Sequence, residues 1–101
     1  MTFGLKKRDI DHLFNALERF PEIQQVLVFG SRAKGNSKAG SDIDLALKGE
    51  DITDETISRL RAALDDLPLP YFFDIVDYAA IQNKDLQDHI DRVGEVLYQK
   101  K

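Results

Sequence analysis

Two aspartates at a spacing of two, Asp42 and Asp44, follow a Gly30-Ser31 pair after ten intervening residues, in the stretch GSRAKGNSKAGSDID. A third acid, Asp74, interrupts the apolar run YFFDIV. Residues two apart on a strand face the same side at about 6.6 to 6.8 Å. Asp42 and Asp44 can therefore share one metal ion or flank a pair of them. If Asp74 sits on a neighbouring strand with the same facing, three carboxylates converge. With no Cys or His among them they select a hard, oxygen-preferring ion, Mg²⁺ or Mn²⁺ before Zn²⁺. Gly30-Ser31 ends an apolar run, Val26-Leu27-Val28-Phe29, and offers backbone N–H groups and a hydroxyl to an anion. Arg32, Lys34 and Lys38 bring positive charge to the connection that follows. These are the parts needed to handle a nucleoside triphosphate: donors for phosphate oxygens, and metal to absorb developing charge.

Each part has a plainer reading when taken alone. An isolated D-x-D is a common tripeptide, equally at home as strand-end acids held by backbone N–H groups or Lys. Ser31 fits a helix N-cap with no ligand, and basic residues near turns are commonly solvated. The order of the parts along the chain carries the functional reading. A buried strand, a Gly-Ser turn, a basic loop, a D-x-D strand and a third strand acid follow one another. Asp77 lies at a strand end and is more ambiguous.

The elements that would position these groups can be read from periodicity. Ile10, Leu13, Phe14, Leu17 and Phe20 recur at helical spacing and predict a helix over residues 7–20, stopped by Pro21. His12 lies off that stripe, in solvent. The first strand covers 25–29, and its lack of polar alternation suits a strand covered on most sides. A single helical turn fits Ser31 to Lys34, and a loop fits 36–41. The second strand, 42–48, points Ile43, Leu45 and Leu47 one way and Asp42, Asp44 and Ala46 the other. After a turn at Gly49, Thr53 or Asp54 caps a helix buried through Ile57, Leu60, Leu64 and Leu67. Pro68 and Pro70 end it and deliver a third strand over 71–76. Asn83 caps a last helix with stripe Ile81, Leu86, Ile90 and Val93, and His89 as a boundary residue. Gly94 ends it before a short strand over 95–98. The expected class is α/β (α+β), a mixed sheet of about four strands with helices packed on it.

At 101 residues the chain fits a single domain, 1–101. With 43% hydrophobic and 32% charged residues it is an ordinary globular sequence. The net charge of -4 argues against broad nucleic-acid binding. The absence of Cys excludes disulfides, thiolate metal sites and Cys nucleophiles. No run approaches the roughly 18 apolar residues that span a membrane, and a cytoplasmic location is the default expectation.

The pattern G-S-x10-D-x-D, here Gly30-Ser31 with Asp42 and Asp44, resembles the signature of the polymerase-beta-like nucleotidyltransferase superfamily. The wording VLVFGSRAKGNSKAGSDIDLAL, then YFFDIVD, then a terminal GEVLY, is similar to its smallest branch. Those are the minimal nucleotidyltransferases, MNT or MntA-like proteins encoded beside HEPN-domain (HepT-like) proteins. The resemblance implies that Gly30 and Ser31, with Arg32 beside them, bind the phosphates of ATP. It implies that Asp42 and Asp44 hold two Mg²⁺ ions, with Mn²⁺ able to substitute. Asp74 would hold one metal and help deprotonate the attacking hydroxyl. The reaction would be in-line attack on the α-phosphorus with release of pyrophosphate. The helical second domain that larger relatives use to hold an acceptor is missing, so the acceptor is expected with another protein. The leading expectation is an antitoxin that transfers AMP to a tyrosine of a HEPN toxin, within a hetero-oligomer. The alternatives are a small-molecule acceptor held by a separate substrate-binding subunit, or an antitoxin that acts by binding without catalysis.

Overall fold

In the computed structural model, which describes residues 5–29, 43–69 and 71–100, helix α1 (Lys7–Leu17) buries Leu13 and Leu17 and half-buries Ile10 and Phe14. The helical spacing of these residues dictates that arrangement. The helix ends three residues before the expected Phe20. The Arg19 and Phe20 amides donate to the carbonyls three residues back, Ala16 (3.3 Å) and Leu17 (3.0 Å), which tightens the exit. Phe20 nevertheless stays in the core. His12 is half-buried and not fully in solvent.

Strand β1 (Gln25–Phe29) matches the expectation, and β2 (Ile43–Lys48) ends where expected; Asp42 lies outside the described residues. Alternation along β2 sends Ile43, Leu45 and Leu47 into one cluster with Leu13, Leu17, Leu60 and Leu64. It sends Ala46 into a second cluster with Leu27, Phe29 and Ile90. Both faces of the sheet are covered, which explains the unbroken apolar run of β1.

Helix α2 (Asp54–Asp65) starts at Thr53, whose hydroxyl accepts the Thr56 amide at 3.2 Å. The Thr56 hydroxyl in return accepts the Thr53 amide at 3.2 Å, closing a reciprocal cap. It also donates to the Glu22 carboxylate at 2.8 Å, which pins the start of α2 to the segment preceding β1. Glu22 is held below the usual carboxylate range by a backbone N–H, then by the Thr56 hydroxyl; burial opposes these two, and the charge of Arg59 adds the smallest effect.

Strand β3 (Phe73–Asp77) begins two residues later and ends one residue later than expected. Its ladder to β2 runs from Ile43↔Phe73 to Leu47↔Asp77, so the partner strand sets its limits. A 3-10 turn at Tyr78–Ala80, unanticipated in the sequence, follows because the Asp77 carboxylate accepts the Ala79 amide at 3.1 Å. Helix α3 (Lys84–Val93) is capped as expected, Asn83 accepting from Asp85 (2.9 Å) and Leu86 (3.3 Å). It stops at Gly94, and β4 (Glu95–Gln99) completes the sheet.

The sheet order is β3-β2-β1-β4. β1 pairs antiparallel with both β2 and β4, while β2 and β3 are parallel, joined by α2. The mixed four-stranded α+β architecture is the one expected. The helical turn and loop read from residues 31–41 lie outside the described residues.

Candidate active site

Register builds the site. Asp44 of β2 is flanked in the ladder by Phe29 of β1 on one side and Asp74 of β3 on the other. Neighbouring strands run about 4.8 Å apart, so the two carboxylates are immediate cross-strand neighbours. Both share one face. Ile43 and Leu45 of β2, and Phe73 and Ile75 of β3, fill the opposite cluster, and alternation leaves Asp44 and Asp74 on the side that α3 covers. The next row on that face, Leu27, Ala46 and Val76, is apolar. Asp44 is half-buried at the boundary of this floor, and Asp74 is exposed.

Two oxygen donors set side by side, one open to solvent, suit a hard divalent cation. Among the described residues no three His, Cys, Asp or Glu side chains group to hold a metal. Of the residues singled out in the sequence, the structure brings Asp44 and Asp74 together. Asp42, Gly30, Ser31 and Arg32 lie outside the described residues.

Around the pair, Phe29 meets His89 of α3 edge-on, ring centroids 6.3 Å apart at 81°. His89 is thus a packing residue at the margin of α3, as expected. Farther along the same face, the Tyr78 hydroxyl donates to Asp91 at 2.6 Å, and Lys48 Nζ lies 4.4 Å from the Tyr78 ring centre. The hydrogen bond to Asp91 pushes the Tyr78 phenol above its ordinary range, with smaller contributions from burial and from the charges of Asp91 and Asp88.

Sequence reasoning missed Phe72. The Ile43 amide donates to the Phe72 carbonyl at 2.8 Å, extending the parallel ladder one residue before β3. Phe72 thereby falls on the face of Asp74, with its side chain 76% exposed. A Phe-Phe doublet in an apolar run carries no signal for which ring is exposed. Two surface hollows, of about 510 and 450 Å³, are lined by Asp85, Asp88, Asp91 and Arg92 and by Phe14, Glu18, Tyr98, Gln99 and Lys100; neither includes Asp44 or Asp74.

A family model described as Polymerase beta, Nucleotidyltransferase matches residues 11–101. A relative from Haemophilus influenzae, named as a probable protein adenylyltransferase MntA, is 31% identical over 97 residues, covering 95% of this chain and 84% of its own length. A solved toxin–antitoxin structure with AMP-PNP superposes with a TM-score of 0.67 at 26% identity, over 91% of this chain and 74% of the matched one. A structure of a tri-AMPylated Shewanella oneidensis HEPN toxin in complex with an MNT antitoxin superposes at 0.63, over 95% and 74% of the two chains. At 22% identity that last likeness concerns the fold alone.

Proposed function

The chain belongs to the polymerase-beta nucleotidyltransferase family, and we propose that within it this protein is an Mg²⁺-dependent protein adenylyltransferase, moving AMP from ATP to a tyrosine hydroxyl of a HEPN-domain partner as its antitoxin. The observation that carries this reading is the pairing of Asp44 and Asp74 at one register position on one face of the sheet. The naming of the H. influenzae relative as a probable protein adenylyltransferase favours a protein as the acceptor.

Divalent metal is general to this superfamily. In this protein Asp42, Asp44 and Asp74 would hold it, as two Mg²⁺ ions, and the chemistry it supplies is neutralisation of charge between phosphate oxygens. Gly30 and Ser31 hold the β- and γ-phosphates, with Arg32 beside them. The acceptor oxygen attacks the α-phosphorus in line, the bond to the pyrophosphate oxygen breaks, and the hydroxyl proton passes to Asp74.

The test is incubation of the chain with ATP, Mg²⁺ and its cognate HEPN-domain protein, followed by mass spectrometry of the partner. The expected result is an added AMP on a tyrosine with wild type and none with Asp42→Asn. An unmodified partner in the wild-type reaction overturns the reading. Protection of cells by Asp42→Asn equal to wild type would assign neutralisation to binding alone.

A further inference from the structure

We propose that Phe72 is the acceptor-docking residue, packing against the ring of the tyrosine that a protein acceptor presents to Asp74. The proposal rests on the protein-adenylyltransferase reading above.

Single exposed apolar side chains are ordinary, so position must carry the argument. The described residues expose two large hydrophobic side chains, Phe72 (76%) and Val96 (51%). Val96 is on β4, at the far edge of the β3-β2-β1-β4 sheet. Phe72 is on the edge next to the carboxylate pair, on the face of Asp74 and two residues before it. That spacing is about 6.6 to 6.8 Å along the strand, the scale of a phenol ring with its hydroxyl.

In-line displacement then decides which substrate meets this ring. The leaving pyrophosphate and the entering oxygen lie on opposite sides of the α-phosphorus. Gly30 and Ser31, assigned to the phosphates, are tethered directly to Phe29 at the end of β1. In the row Phe29, Asp44, Asp74 the pyrophosphate therefore belongs at the β1 end and the acceptor at the β3 end. Phe72 stands on the β3 side, where the hydroxyl arrives. An aromatic acceptor ring gains edge-to-face or offset contact there beyond simple burial, and its hydroxyl points along the strand to the proton-accepting carboxylate.

The test compares wild type, Phe72→Ala and Phe72→Trp in steady-state transfer to the cognate HEPN-domain protein, with AMP-PNP affinity measured separately by calorimetry. Expected for Phe72→Ala is a rise of about tenfold in KM for the partner, with AMP-PNP affinity unchanged and Phe72→Trp near wild type. A KM for the partner unchanged in Phe72→Ala overturns the proposal. Weakened AMP-PNP binding also overturns it, placing the ring under the nucleotide base instead. A wild-type chain that modifies no partner removes the underlying reading and the proposal with it, whereas failure of the Phe72 variants alone leaves that reading standing.

Discussion

Asp44 and Asp74 occupy opposed positions on adjacent parallel strands, although twenty-nine residues of chain, including all of α2, separate them. Like charges directly opposed on a sheet disfavour one another, and a divalent cation held between them would relieve that opposition.

Replacing Asp74 with the near-isosteric Asn removes that repulsion without creating a cavity. Asp74→Asn is expected to leave the melting temperature unchanged or raised, while transfer falls by a factor on the order of 10² to 10⁴ for loss of a general base. Calorimetry and mass spectrometry of the partner provide the two readings. A melting temperature lowered by several degrees would mean that Asp74 serves the fold.

Metal should act on the same pair. Mg²⁺ at ten times its dissociation constant stabilises by about 1.4 kcal/mol if it binds only the folded chain, a rise of several degrees in melting temperature at this size. Asp44→Asn should abolish that rise. A chelator should stop transfer yet leave circular dichroism intact, because the core of Leu13, Leu45, Leu47 and Leu60 is independent of the site.

What the sequence revealed was local. The limits of β1, the alternation of β2 and the Asn83 cap follow from residues close to one another in the chain. The type and order of the described α-helices and strands came with them. The misses depend on partners. β3 is displaced because its length is set by its ladder to β2. A cap at Thr53 or Asp54 is legible in the sequence, but not that Thr53 takes it through a reciprocal bond to Thr56, since a capping box is ordinarily recognised by Glu or Gln at that position. Asp74 could be picked out as an acid in an apolar run, whereas its opposition to Asp44 is a fact of register. Phe72 differs from Phe73 only in which face the register assigns it.

Thr56 is 4% exposed and joins α2 to Glu22. Thr56→Val keeps the shape and deletes the hydroxyl contacts to Thr53 and Glu22, with an expected loss of about 1 to 2 kcal/mol. Because Glu22 is held below its ordinary value of 4.5, its contribution is fully present above that value and is lost as pH falls through its folded pKa. The wild-type advantage over Thr56→Val should therefore shrink below about pH 4.5 in urea titrations. A constant difference across that range would mean that the carboxylate takes no part.

Tyr78 behaves in the opposite sense. Its phenol is raised from 10.0, first by the hydrogen bond to Asp91. The contribution of that contact is complete below about pH 10 and disappears as pH rises through the folded pKa. Followed by tyrosinate absorbance, Asp91→Asn should lower the Tyr78 transition toward the ordinary phenol value. An unchanged titration in the variant would exclude the 2.6 Å contact as the cause.

Gly49 separates stability from chemistry. A Cβ at this position would lie 2.1 Å from the Glu22 carbonyl oxygen, a backbone atom that cannot swing aside as a side-chain tip can. The approach is fixed from nearby, since the Gln24 amide donates to the Lys48 carbonyl at 2.9 Å. Gly49→Ala must therefore pry the start of β1 from the end of β2, at an expected cost of about 2 to 3 kcal/mol. Asp44 is at the other end of β2, paired with Phe29, so activity per folded molecule should stay near wild type well below the lowered melting temperature. Asp74→Asn predicts the reverse pattern, stable and inactive. Loss of activity in fully folded Gly49→Ala would instead mean that strain at this end of the β1–β2 ladder reaches Asp44.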